Sequence, residues 1–365
     1  MTKSNEYLPQ SVSHPGETLA EKLNELGMAQ KEFAIRTNKP EQTIIKVISG
    51  ESSITPDMAV QFENVLKIPA HFWLNRQQNY DISIARLKLI ESLETGKEWA
   101  KSFPYPDMVK YGWLPSTNNL MERTQELYNY FSIANYVSWE GVYCKQKSKS
   151  LFRISLAQTK EAHAVSAWLR QGEIQAQEIN APNFDVKKFK ANLHTIKSVM
   201  AEHPTDYFQQ LQQLCLQAGV KVVYTPCLPK APIHGSTRWL GDTPLIQLSA
   251  RYKQNDRFWF TFFHEVGHIL LHGKKYISLE NIEYIDIDVE KEKEADDFAI
   301  EWTFSKEQEQ EVLNSDALTE GAIIEFAKKF NTHPALIIGR FHHSKQLPYS
   351  KGRQFIKPIN LEQLL

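Results

Sequence analysis

The 365-residue chain is poor in cysteine, in long apolar runs and in net charge, and each shortage narrows its chemistry. Cys144, Cys215 and Cys227 are its three cysteines, an odd number with no C-x-x-C spacing. That fits packed thiols in a reducing cytoplasm better than metal ligands. No stretch reaches the roughly 18 consecutive apolar residues of a membrane span. The opening residues, MTKSNEYLPQSVSHPGE, are polar and lack the apolar core of a secretory signal. A formal net charge of −1 gives no global attraction to nucleic acid. What remains, 42% hydrophobic and 23% charged, is the composition of an ordinary globular protein long enough for two or three domains.

Against this plain background one stretch stands out, DRFWFTFFHEVGHILLHG at 256–273. It contains H-E-x-x-H at His264–His268. Residues four apart share a helix face, so both imidazoles can point at one zinc ion. Glu265 lies about 100° round the helix from His264, beside a metal-bound water rather than on the metal. Phe260, Phe262, Phe263, Val266, Ile269 and Leu270 make the helix apolar nearly all round, which predicts burial. Buried histidines and a buried carboxylate need partners, because lone polar groups inside a protein cost several kcal/mol (~2–7).

A catalytic zinc ion takes three protein ligands. The third is expected in the helical stretch KEKEADDFAIEW, where Glu292 and Asp296 share a face. Glu292 completes the zinc sphere, and Asp296 accepts the second ring N–H of a ligand histidine. Two rivals exist. Glu294 lies about 200° round the helix from Glu292 and has Asp297 at i+3 rather than a carboxylate at i+4. His272 follows His268 by four residues, but helical drift makes three ligands on one straight helix awkward. An oxyanion donor is not fixed by sequence; Tyr252, Tyr276 and His272 are the candidates.

Residues 16–80 read as five short helices. Glu17–Leu26 stops at Gly27, Gln30–Arg36 turns through Thr37–Lys39, and Pro40 opens a helix running to Ile48. Thr55-Pro56 caps a fourth, and Phe72, Trp73 and Leu74 lie in a fifth. Two short helices across a tight turn, the second with a polar face, form a helix-turn-helix. Here HPGETLAEKLNELGMAQKEFA and SITPDMAVQFENVLKIPAHFWLNRQQNYD resemble the HigA-type branch of the XRE/Cro helix-turn-helix regulators, over residues 13–81. The resemblance implies that Lys39, Glu41, Gln42, Thr43 and Lys46 face double-stranded DNA. Gln42 is suited to an adenine edge, and Lys39 and Lys46 to phosphates. Residues 1–80 carry eight Lys and Arg against nine Asp and Glu. Phosphate contacts dominate affinity, so a lone copy should bind weakly and a homodimer on an inverted repeat is expected.

Residues 81–205 read as a helical middle region without chemistry of its own; Arg86–Trp99, Met121–Tyr130, Thr159–Ala176 and Asp185–Met200 are helical, and Trp139 and Trp168 read as core. From Asp206 come a helix at Tyr207–Gln217 and strands at Lys221–Thr225, Gly235–Leu240 and Pro244–Ser249. The last strand, with Leu245, Ile246, Gln247, Leu248 and Ser249, is expected to offer an edge for an extended peptide. The run from GSTRWLGDTPLIQLS through HEVGHILLHG and EKEADDFAIEW to HPALIIGRFHHSKQLPYS resembles the ImmA/IrrE metallopeptidases over about residues 205–350. That implies a minimal zincin fold, Zn2+ on His264, His268 and Glu292, Glu265 as base, and cleavage of regulatory proteins. The family often has Asn where this chain has Asp296.

The expected fold is mainly α with a small α+β domain. It comprises a helix-turn-helix domain (1–80), a helical middle (81–205), a minimal zincin with a short mixed sheet (206–350) and a tail (351–365). The expected function is a cytoplasmic DNA-binding regulator fused to a zinc endopeptidase that cleaves a repressor or an addiction-module partner. The rival is a non-catalytic antitoxin whose metal only stabilises the fold. One echo is internal: EFAIRTNKPEQTII (32–45) and EFAKKFNTHPALII (325–338) align without a gap, which predicts a second helix-turn-helix shape, read first as a packing corner.

Overall fold

Side chains cap the starts of two of the N-terminal helices. The computed structural model describes residues 12–144, 156, 159, 161–280, 288–315 and 318–361; most of the polar lead and the last four residues of the tail lie outside them. The chain divides into two compact units, Met1–Thr95 and Gly96–Leu365.

In the first unit, α1 (Pro15–Glu25) starts where His14 Nδ1 accepts from the Gly16 amide. It is followed by α2 (Gln30–Arg36), α3 (Glu41–Ile48), α4 (Pro56–Leu66) and α5 (Ala70–Thr95). Thr55 Oγ1 caps α4 by accepting from Met58 N, with Pro56 in the first turn. Such a cap stabilises by about 1 kcal/mol. Asn38, at φ 52°, makes the tight turn between α2 and α3. Leu19, Phe33, Ile44, Val47, Phe62 and Trp73 form the core. Each such buried side chain contributes about 1.5–3 kcal/mol. α1 and α3 pack so closely that a Cβ at Gly16 would sit 1.9 Å from the Val47 carbonyl oxygen. The fifth helix is longer than the first four: 26 residues, running past residue 80 to Thr95.

The second unit begins with α6 (Lys97–Lys101), α7 (Tyr105–Lys110), α8 (Leu120–Phe131) and α9 (Tyr136–Trp139). These pack with α10 (Ala162–Gln177) around Trp139, Trp168, Phe103 and Phe131, so both tryptophans are core. Then come α11 (Val186–Glu202), α12 (Tyr207–Leu216), β1 (Lys221–Tyr224), β2 (Gly235–Leu240), β3 (Thr243–Leu248), α13 (Asn255–Gly267), α14 (Val289–Thr303), α15 (Lys306–Leu313), α16 (Glu320–Phe330) and α17 (Pro334–His343). The architecture is mainly helical with one small sheet, as the sequence predicts. The sheet packs on α12 and α13, whose Leu211, Phe258, Phe262 and Val266 join Val222, Ile246 and Leu248 in one core.

The sheet order, β1-β3-β2, corrects one expectation. β3 pairs in parallel with β1 and antiparallel with β2, so it is the central strand. Leu245, Ile246, Gln247 and Leu248 are paired on both sides, and Ser249 N donates to the His234 carbonyl. This stretch has no free edge for a peptide. Alternation identifies a strand but does not say which neighbours it meets. The outer side of β2 is taken by residues 276–280: Ser278 N donates to Thr237 O (3.0 Å) and Glu280 N to Gly235 O (3.1 Å).

The internal echo has a structural counterpart. Asn331, aligned with Asn38, also has positive φ (50°), and it separates α16 from α17. The second copy is a packing corner around Phe304, Phe330 and Phe341. Lys329 within it and Arg340 just beyond it pair with Glu311 and Glu309.

Candidate metal centre

α13 is buried along most of its length, Arg257 excepted, because large apolar side chains surround it. Phe258, Trp259, Phe262, Phe263 and Val266 pack into the core, and His264, Glu265 and His268 are buried among them, at 2%, 0% and 1% exposure. α14 lies directly against it. A Cβ on Gly267 would come within 3.1 Å of Ala295 Cα, so two small residues permit the close approach. Ala295 is flanked in sequence by Glu292, Glu294 and Asp296, and all three reach the histidines of the neighbouring helix.

His264 Nε2 and His268 Nε2 face each other at 3.0 Å. Glu292 Oε2 stands 3.3 Å from the first and 3.7 Å from the second. Ligand atoms of these three residues all lie within 4.8 Å of one another. Tyr276 OH donates to the other Glu292 oxygen at 2.6 Å. Asp296 Oδ1 is 2.9 Å from His264 Nδ1. A carboxylate accepts, so Nδ1 of His264 donates, and Nε2 is the atom turned toward His268 and Glu292. His268 Nδ1 has its own partner, His272 Nδ1, at 2.9 Å. Two imidazole Nε2 atoms and a carboxylate oxygen thus converge, which is a donor set for a small, borderline-soft cation. The electrostatics carry the same tension. Burial works against a charged His264, yet Asp296 and Glu292, with Glu280 and Glu265 nearby, hold it well above the usual imidazole range. Burial pushes His268 down to about 4.

Glu265 points into the space between α13, β2 and the segment after α13. Ser278 Oγ donates to its Oε2 at 3.0 Å, and its Oε1 has no hydrogen-bond partner. Burial pushes this carboxyl up to about 8, opposed by His264 and reinforced by Glu280 and Glu292. A Cβ on Gly235 would meet Glu265 Oε1 at 2.7 Å, so β2 passes the carboxylate where only glycine fits.

The expected ligand set and Asp296 therefore come together, and each oxyanion candidate has a partner of its own. Tyr276 is bonded to Glu292, His272 to His268, and Tyr252 lies under the Arg257 guanidinium at 3.8 Å. Sequence reading missed Ser278, Gly235 and Gly267. The glycines gave a faint signal, since each lies beside a chemical residue in an ordered element.

On the first unit, Glu41, Gln42 and Lys46 are exposed along α3 and Thr43 is half-buried. Lys39 forms an ion pair with Asp57 at the start of α4.

Two family models match the chain. One, described as an IrrE N-terminal-like domain of a peptidase family, covers residues 215–337. The other, described as helix-turn-helix, covers residues 19–73. The uncharacterized HTH-type transcriptional regulator YddM of Escherichia coli is 30% identical over 71 residues, which are 20% of this chain and 76% of that protein. Among solved structures, a HigA-family addiction-module antidote protein from Coxiella burnetii is 34% identical, covering 23% of this chain and 91% of that one, with a TM-score of 0.22. A Pseudomonas aeruginosa protein crystallised with its operator DNA is 27% identical, covering 21% and 84%, with a TM-score of 0.21. The chain belongs to the helix-turn-helix transcriptional regulators through its first unit and joins to it, in its second, a domain of the IrrE-like peptidase family.

Proposed function

We propose that this protein is a cytoplasmic DNA-binding regulator whose residues 206–350 act as a zinc endopeptidase on another regulatory protein. The observation that carries the reading is the convergence of two imidazole nitrogens and Glu292 beside a buried carboxyl group with one unpartnered oxygen. A structural metal site needs no such base, which disfavours the non-catalytic antitoxin.

His264, His268 and Glu292 would hold the zinc, which supplies Lewis acidity toward a carbonyl and a water molecule. Asp296 fixes the ring of His264 through Nδ1. Glu265 takes a proton from water at Oε1 and passes it to the departing amine. Ser278 keeps Oε2 occupied, so the proton is received on one oxygen. An extended substrate would run beside Tyr276–Glu280, the segment that touches both Glu292 and Glu265.

On the DNA side, α3 would enter the major groove with Gln42 toward a base edge and Lys46 toward phosphate, in a homodimer on an inverted repeat. Glu41, Thr43 and Lys39 border that face, and Lys39 must exchange Asp57 for phosphate to take part. Tethering a peptidase to an operator raises the effective concentration of neighbouring DNA-bound proteins to about millimolar. The favoured substrate is therefore a second DNA-bound repressor or an addiction-module partner, cut in an exposed linker. Self-cleavage near Asn79–Ser83 is disfavoured, because that stretch lies inside α5 and a peptidase needs extended chain.

The test incubates wild type and Glu265→Gln with the product of the neighbouring gene, with and without operator DNA. Cleavage by wild type alone, faster with DNA, supports the reading. Intact partner and intact chain throughout, with zinc bound, would favour a regulator without peptidase activity.

A further inference from the structure

Glu294 and His272 were the rivals for the third ligand position, and the structure joins them to each other. His272 Nε2 lies 2.9 Å from Glu294 Oε2, and His272 Nδ1 lies 2.9 Å from His268 Nδ1. The direction of each bond follows from the carboxylate inward. Glu294 can only accept, so His272 Nε2 is the N–H. In a neutral ring, His272 Nδ1 is then the acceptor, and His268 Nδ1 donates to it. His268 is left with a bare Nε2, the atom that faces His264 and Glu292.

Both nitrogens of His272 are thus engaged, and neither is left for a metal. Its side chain is 3% exposed, enclosed by His268 and Tyr276. The backbone is arranged to match. α13 ends at Gly267, and His268–His272 form a single wide π-turn closed by Gly273 at φ 62°. Turns of this kind recur at functional sites, where they re-aim side chains.

We propose that His272 and Glu294 are positioning residues that orient the ring of His268 for metal binding, an inference that rests on the metal-centre reading above. His264 is held in one step by Asp296. His268, one turn further on, is held in two, by His272 and then Glu294. Losing an outer partner of a ligand histidine typically lowers metal affinity about 10–100-fold while leaving the ligand count unchanged.

The experiment uses the full chain and reads zinc affinity by competition with a chelator, together with the absorption spectrum of the cobalt(II) form. Wild type should bind one zinc ion. His272→Ala should still bind one, about 10–100-fold more weakly, with cobalt band positions and intensities unchanged. Glu294→Gln should show a smaller loss, and His272→Gln, whose amide oxygen can accept from His268, should recover part of the affinity. Glu294 is exposed, so its variant decides the matter if His272→Ala fails to fold. Unchanged affinity in Glu294→Gln and the His272 variants, with wild type binding zinc, overturns the inference alone. A His272→Ala protein that loses zinc as His264→Ala does, or whose cobalt spectrum changes coordination, makes His272 a ligand and also overturns it. Wild type that binds no zinc overturns the metal-centre reading and the inference with it.

Discussion

Ser278 Oγ donates to Glu265 Oε2 at 3.0 Å, and the other oxygen of Glu265 has no hydrogen-bond partner although the residue is fully buried. A carboxyl group so placed costs the fold stability, and strongly perturbed buried groups of this kind cluster at functional sites. Replacing it by Gln keeps shape and volume but removes the base. Glu265→Gln should keep its zinc and its melting temperature and lose about 10²–10⁴-fold in cleavage rate. Ser278→Ala removes one hydrogen bond, worth about 1 kcal/mol, and should slow cleavage only about fivefold. Cleavage rates and zinc content measured on the same preparations check both. Equal losses in the two variants would count against Glu265 as the base.

Gly235 gives a test that leaves the chemistry-bearing residues in place. A methyl group there would lie 2.7 Å from both Glu265 Oε1 and Thr261 Cγ2. Overpacking of this kind costs about 1–3 kcal/mol. Gly235→Ala should lower cleavage and the melting temperature of the second unit. Operator binding, measured by gel shift, should stay as in wild type, since Gly235 belongs to the other unit.

Three histidines outside the metal centre make the second unit sensitive to acid. His163, His203 and His333 are each pushed down to about 4 by burial, from an ordinary value of 6.5. His203 Nδ1 accepts from the Trp259 indole (3.2 Å) and His333 Nδ1 from the Ala335 amide (3.1 Å), so the folded state holds them neutral. Below pH 6.5 the unfolded chain binds protons that the folded chain refuses. Their contribution to stability is therefore complete above about pH 6.5 and is lost progressively down to about pH 4. Urea unfolding with a chelator present, followed by tryptophan fluorescence, should show a midpoint that falls across that window. The triple variant His163→Phe, His203→Gln, His333→Asn should flatten the fall.

The DNA-reading face separates into two kinds of contact. Gln42→Ala should relax specificity at one base pair, at a cost of about 1–3 kcal/mol. Lys46→Ala should weaken binding to all sequences alike and reduce the salt slope by about one. Binding isotherms at several salt concentrations distinguish the two. A selection that enriches no sequence at all would point to a helix-turn-helix used for protein contacts.

Much of this was written in local sequence. Caps and breakers such as Thr55-Pro56, Gly27 and Asn38 fix helix ends through bonds made within a few residues. The His264–His268 spacing fixes a shared helix face for the same reason, and Glu292 and Asp296 share theirs. The apolar surround of α13 foretold its burial. What the tertiary structure decided is which of those faces meet. β3 is central because β1 joins it in parallel across an intervening helix-free crossover, a pairing that alternation cannot encode. Glu294, on a different side of α14 from Glu292, reaches His272 only because Gly267 and Ala295 let the two helices close on each other. Ser278 finds Glu265 only because the chain after α13 returns along β2. Local rules act through bonds to near neighbours, so they can be read in order along the chain. The partners of His268 and Glu265 depend on side-chain volumes at distant helix and strand contacts, and those are settled only when the whole unit packs.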